Sequence, residues 1–188
     1  MNTPDLPLES RPGLPEPLRV LVRELPREGW EAHRNFSQLT RFWLDRHLLF
    51  RDVLGRLRTG SEAFMDGQRD ARAHAQETQR YAGFLLNELH GHHQIEDQHY
   101  FPVLQSLDPR LEHGFALLDQ DHDALDGHIK ALADTTNGFL RTAATPEARD
   151  SAGALTTHLT EFERFLDRHL TDEEELVVPT ILTYAPRL

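Results

Sequence analysis

A chain of 188 residues is long enough for one domain with a single core. Its net charge of −11 argues against nucleic acid or an anionic membrane as the main partner and leaves cations open. With no cysteine it has no disulfide, no thiolate metal site and no cysteine nucleophile, whereas 12 histidines, neither a tract nor a tag, are the outlying number. No apolar run of about 18 residues and no secretory leader stands out, so a soluble cytoplasmic protein, monomeric or dimeric, is expected.

Residues 1–17 carry Pro4, Pro7, Pro12, Pro15 and Pro17, a density that forbids a helix and predicts an extended arm. Residues 18–25 suit a short helix before Pro26. The expected division is therefore an arm with its short helix over 1–29 and a helical domain over 30–188. From about Trp30 the pattern turns helical: Phe36, Trp43, His47, Phe50 and Leu54 recur at intervals of three, four or seven. Gly55 and Thr59-Gly60 mark its expected end. Residues 59–76 are polar, anchored only by Phe64 and Met65, and read as an excursion from the bundle.

The second helix runs along Tyr81, Leu85, Leu89, His92, Glu96, His99 and Val103, with Pro102 expected to kink or end it. Asp108-Pro109 is a cap-and-proline start. The third helix has Leu111, Phe115, Leu118, His122, Asp126, Ile129 and Ala133 on one face and ends near Asn137-Gly138 or a turn later. Thr145-Pro146-Glu147 repeats the start signal. The fourth helix carries Leu155, His158, Phe162, Phe165, Leu166, His169, Glu173, Leu176 and Val177, with Pro179 expected to interrupt it. Four amphipathic helices with short second and third connections predict an all-α, antiparallel up-down four-helix bundle behind a proline-rich N-terminal arm.

Helical phase sorts the polar residues. With His92 as the reference, Glu96 lies within about 40° and His93 about 100° away, so His92 and Glu96 are expected in the core, with His93 and Asp97 flanking it and His90 further out. The same test places His169 and Glu173 inside with Glu174 and Glu175 outside, places His122 and Asp126 inside with His128 outside, and leaves His47 central on the first helix. Counting residues from the connecting turns brings His92, His122 and His169 to one level within about a turn of helix. His158 is about 16 Å along the axis from His169 and reads as an ordinary core residue. Glu96-x-x-His99 fits the Glu-x-x-His pattern of ferritin-like di-iron proteins, but its only rough second copy is Asp119-x-x-His122. His33, His74, His90, His113 and His128 read as surface residues, and the run Asp172–Glu175, apart from Glu173, as a solvated face.

Buried carboxylates are costly unless they are paired or coordinate a metal. Four histidines and two glutamates exceed what one tetrahedral ion needs, so two ions sharing Glu96 and Glu173 is the economical arrangement. Thiolate-free imidazole ligation favours redox-active iron over structural zinc.

His47, His92-x-x-x-Glu96 followed by Tyr100-Phe101-Pro102, His122, and His169-x-x-x-Glu173 with Pro179 beyond together resemble the hemerythrin-like cation-binding family over roughly residues 30–184. The resemblance implies a four-helix bundle around a carboxylate-bridged, non-haem di-iron centre. It implies His47, His92, Glu96, His122, His169 and Glu173 as ligands, and dioxygen, nitric oxide or peroxide as the small molecule bound, sensed or detoxified. The family's oxygen carriers have two histidines four apart on the third helix. Asp126 takes the second position here, as a seventh ligand or as an acceptor orienting a histidine, which places the sequence nearer a four-histidine, two-glutamate branch. A binding or sensing module is expected, with a peroxidase-like or nitric-oxide-reducing oxidoreductase as the alternative and a zinc-bound or metal-free structural bundle behind both. No flavin, haem or iron–sulfur motif is present, so an oxidoreductase would need a redox partner.

Overall fold

The computed structural model describes residues 7–188, and every regular element among them is helical. Pro4, at the head of the expected arm, lies outside them. The elements are a short α1 (Val20–Glu24), α2 (Gln38–Met65), α3 (Ala71–Ile95), a π-helical turn (Glu96–Tyr100), α4 (Phe101–Gln105), α5 (Glu112–Thr142) and α6 (Ala148–Tyr184). Among the described residues no helix is long and apolar enough to cross a membrane. The four long helices divide between two compact units. One contains the described chain up to His47, His92–Ala124 and Asp167–Leu188; the other contains Leu48–Gly91 and Leu125–Leu166.

The first long helix starts later and ends later than its periodicity suggests. Residues 30–37 form turns, and α2 begins where Ser37 Oγ accepts the backbone N–H of Thr40 at 3.1 Å, an N-cap. The helix then runs through Gly55 and Gly60. Each glycine costs a helix about 1 kcal/mol relative to alanine. That cost is overridden because Leu54, Leu57, Ser61 and Phe64 continue one buried stripe. The stop is a Schellman motif: Gly67 has φ +73, its N–H reaches Phe64 O at 3.0 Å, and the Gln68 N–H reaches Ala63 O at 2.9 Å. Asp70 then caps α3 by accepting the Ala73 N–H at 3.0 Å. The expected excursion over 59–76 is thus a tight turn over 66–70 between two long helices.

The unit of Leu48–Gly91 and Leu125–Leu166 is an apolar bundle core in which Phe50, Leu54, Leu85, Leu132, Phe139, Leu155 and Phe162 are fully buried. His74 is buried here, not on the surface, because it shares a stripe with Thr78, Ala82 and Leu85. Its ring lies 5.1 Å from Phe64 and 4.9 Å from Phe139, and burial depresses its pKa.

In the other unit the residues before 30 do not stand apart. Leu14, Leu18, Leu21, Val22 and Trp30 belong to one core cluster with Trp43, Phe101, Phe115, Leu118, Leu176 and Val178. The division between units therefore does not follow the expected boundary at 29/30. Pro179 lies inside α6 without ending it. A helix-interior proline costs roughly 3 kcal/mol. Leu176, Val177, Val178, Ile181 and Leu182 around it are all buried, at roughly 1.5–3 kcal/mol for each large side chain, so packing holds the helix together.

Replacing Gly67 by alanine places a Cβ in a left-handed conformation, although the nearest atom, Arg149 Nη2, leaves it room at 3.8 Å. A loss of about 1–2 kcal/mol in chemical denaturation is expected. An unchanged midpoint would deny the positive φ at this turn.

Candidate metal centre

The site is built within one unit by side chains from four long helical segments. Trp43 and His47 come from α2, His92 and His93 from the end of α3, and Glu96 from the first position of the π-helical turn. Asp121 and His122 come from α5, and His169 and Glu173 from α6. The π-helical turn closes with the Phe101 N–H bonded to Glu96 O. Pro102 follows at once; its ring cannot pack against the carbonyl four residues back and it has no N–H to give, so the helix widens by one residue before α4 resumes. The kink expected at Pro102 is this turn.

Two groups of potential ligand atoms result, one of His47, His92, Glu96 and Glu173, the other of His93, His122 and His169. Within each group all the atoms lie within 4.8 Å of one another. The glutamates face both groups. Glu96 Oε1 is 3.0 Å from His92 Nε2, and its Oε2 is 3.8 Å from His122 Nε2. Glu173 Oε2 lies 3.6 Å from His47 Nε2 and 3.5 Å from His169 Nε2.

The donor set fits metal ions. Buried polar atoms in folded proteins almost always have partners. Here both ring nitrogens of His93 and of His169, Nε2 of His122, Oε2 of Glu96 and both carboxylate oxygens of Glu173 are buried without a hydrogen bond. Nε2 of His47 and Nε2 of His92 face each other at 3.0 Å. Two nitrogens each about 2.1 Å from one ion at a right angle are separated by about that distance.

Carboxylates behind the rings set the tautomers. His47 Nδ1 donates to Glu174 Oε1 at 3.0 Å and His122 Nδ1 donates to Asp97 Oδ1 at 2.7 Å, leaving each Nε2 to the chamber. The Trp43 indole N–H donates to Glu96 Oε1 at 2.7 Å, and its ring centroid lies 4.1 Å from that of His47. Burial lowers the pKa of His47 to about 4 and holds those of His93 and His169 well below the ordinary value, so these rings are neutral and able to ligate near pH 7. Glu96 and Glu173 split. Burial and the neighbouring Glu96 push the Glu173 carboxyl well up. For Glu96 the upward effect of burial is outweighed by His92 and His47, which hold its carboxyl well down.

An apolar cleft of about 310 Å³, its mouth included, reaches Glu96 between Leu39, Trp43, Phe101, Leu104, Val177 and Ile181.

His47, His92, Glu96, His122, His169 and Glu173 are thus brought together, and Asp126 is not. It is exposed and belongs to neither group. His93, expected beside the core, is buried within it. Both differences come from where the centre of each stripe lies. On α3 the fully buried Leu85, Leu89 and Glu96 centre the stripe about 40° round from His92, which leaves His92 and His93 on either side of it. On α5, Leu118, Leu125 and Leu132 centre it on the other side of His122, which turns Asp121 in and Asp126 out. His99 is exposed, which removes the Glu-x-x-His alternative, and His158 is bonded to the His128 carbonyl at 3.0 Å in the other unit.

Asp97, Asp121, Glu174 and Trp43 are the contributors that periodicity missed. The run after Thr171 is not a solvated face. Asp172 pairs with Arg11 at 2.8 Å, Glu174 with Arg27, and Glu175 with Arg19 at 3.0 Å. Three arginines spaced eight apart, all before residue 30, thus cover the acidic side of α6.

The family model described as the hemerythrin HHE cation binding domain matches residues 38–181. No curated protein and no solved structure matches the chain.

The pKa directions set a pH dependence for the metal-free protein. Between about pH 4 and 6.5 the unfolded chain binds protons that the folded His47 does not, so stability falls as pH drops through that window. His93 and His169 act in the same sense. His74 adds to them, and three raised carboxyls, Asp121, Asp172 and Glu173, oppose these four lowered imidazoles. A lower denaturant midpoint at pH 5 than at pH 7 is expected, with His47 alone contributing about 3–3.5 kcal/mol over the full window from 6.5 down to about 4. A midpoint that holds or rises toward acid would contradict neutral buried imidazoles.

Proposed function

The chain belongs to the hemerythrin HHE cation-binding family, and from that premise we propose that it is a non-haem di-iron protein that binds dioxygen or a related small oxidant, peroxide or nitric oxide. His47 and His92 serve one ion, and His93, His122 and His169 the other, with Glu96 and Glu173 shared between them. The observation that carries this reading is the set of ring nitrogens and carboxylate oxygens left without partners in a buried chamber. Five imidazoles and two carboxylates exceed the four donors of a structural zinc site and suit a pair of ions.

Iron, when bound, supplies one-electron exchange with small oxidants. The protein does the rest. Asp97 and Glu174 keep Nε2 of His122 and His47 directed inward. Trp43 fixes one oxygen of Glu96. The lining of the cleft favours small uncharged molecules over anions, because it offers an approaching charge almost nothing in exchange for its water. Turnover rather than binding is the alternative within this reading. A stable change in the optical spectrum under air or nitric oxide marks binding, and steady consumption of added peroxide with a reductant marks an oxidoreductase.

Reconstituted wild-type protein is expected to hold about two iron ions per chain. His93→Ala and His169→Ala should each lose a large part of that iron, while Asp126→Ala and His158→Ala retain it. Metal analysis after gel filtration decides. Wild type with less than one iron per chain, or Asp126→Ala as depleted as His93→Ala, would overturn the assignment.

A further inference from the structure

Arg11 is a charged residue of the N-terminal arm, outside the region that the family model matches, and its side chain is 1 % exposed. Its guanidinium forms a fork on Asp121, with Nη1 to Oδ1 at 3.1 Å and Nη2 to Oδ2, while Nε donates to Asp172 Oδ2 at 2.8 Å. Arg168 completes the group, donating to Asp172 Oδ1 at 2.5 Å and to the Pro12 carbonyl at 3.0 Å. Two guanidinium ions and two carboxylates make a neutral quartet, the condition under which charges tolerate burial. The quartet also reaches the chamber: Asp121 Oδ2, the oxygen on the Arg11 fork, faces Nδ1 of His169 at 3.5 Å. That Nδ1 is buried and has no hydrogen-bond partner.

We propose that Arg11 is a positioning residue of the chamber: by clamping Asp121 against Nδ1 of His169, it keeps the proton of that ring on Nδ1 and turns Nε2 toward Glu173. The arm therefore completes the site from outside the stretch that the family model matches. His47 has its carboxylate from α6, in Glu174, and His122 from the π-helical turn, in Asp97. His169 has Asp121, whose two oxygens are aligned by a residue 110 positions away. A fork geometry is needed for this, because a lysine ammonium is a point charge that cannot hold both oxygens. The consequence for metal rests on the di-iron reading; the orientation of the His169 ring does not.

Two measurements on the full chain separate the two. The first is imidazole nitrogen NMR of the metal-free protein. His169 should be the Nδ1–H tautomer in wild type and a mixture in Arg11→Met and Asp121→Asn. The second is release of iron from the loaded protein to a chelator. It should be on the order of 10-fold faster in Arg11→Met and in Asp121→Asn, the scale seen when the carboxylate behind a metal-bound histidine is lost. The double variant should be no faster than Asp121→Asn alone, since both act through one carboxylate. Arg11→Lys should fold with its charge kept and still show the mixed tautomer. Arg19→Met removes the neighbouring arm contact, to Glu175, without touching Arg11, Asp172 or Asp121 and should behave as wild type in both. An unchanged His169 tautomer in Arg11→Met and Arg11→Lys, or equal acceleration by Arg19→Met, would overturn the proposal. A wild-type chain that takes up no iron yet shows the expected tautomer change would sink the di-iron reading and leave the Arg11 clamp standing.

Discussion

Removing five imidazoles and two carboxylates from water is the constraint around which the site-bearing unit is organised. An ion moved into a low-dielectric interior carries a penalty of several kcal/mol even after relaxation. The unit meets that demand in three ways. The rings of His47, His93 and His169 stay neutral. The Glu96 and Glu173 carboxyls are pushed in opposite directions, Glu96 down and Glu173 up. The remaining carboxylates, Asp97, Asp121, Asp172 and Glu174, are each paired with a histidine or an arginine. Most of the buried atoms left without a partner, on His93, His122, His169, Glu96 and Glu173, belong to the two ligand groups, which is the pattern of a binding site rather than of a core that has merely tolerated polar residues.

The arm follows from the same constraint. The last part of α6 is buried on every side over Leu176–Leu182, and its acidic turn would otherwise meet solvent on one face and the chamber on the other. Arg11, Arg19 and Arg27 close that face with charge of the opposite sign, and Leu14, Leu18 and Leu21 seal the apolar part beside it. A proline-rich segment suits the task. It has few backbone donors to satisfy and little conformational freedom to lose when it docks.

The parts legible from the amino-acid sequence were those that repeat. The spacing of His92 with Glu96 and of His169 with Glu173, and the heights of His92, His122 and His169 above their turns, bring together residues that do meet in the chamber. What periodicity could not supply was the centre of each stripe. Taking His92 as that centre turned His93 outward, and taking His122 as the centre admitted Asp126; the fully buried leucines of α3 and α5 set both centres differently. Counting Leu85 and Leu89 as the axis would have found His93. Arg11 had no such signal, since an arm without periodicity has no phase and its partners lie 110 and 161 residues along the chain. The acidic run on α6 looked solvated for the same reason, because what covers it comes from elsewhere in the sequence. Gly55, Gly60 and Pro179 read as stops because local propensity favours stops, and in each case side-chain burial outweighed it.

The most direct test of the account is anomalous diffraction at the iron edge from crystals of the iron-loaded protein. Two peaks per chain are predicted, one among His47 and His92 and one among His93, His122 and His169, with Glu96 and Glu173 between them. A single peak, or peaks away from these residues, would contradict it.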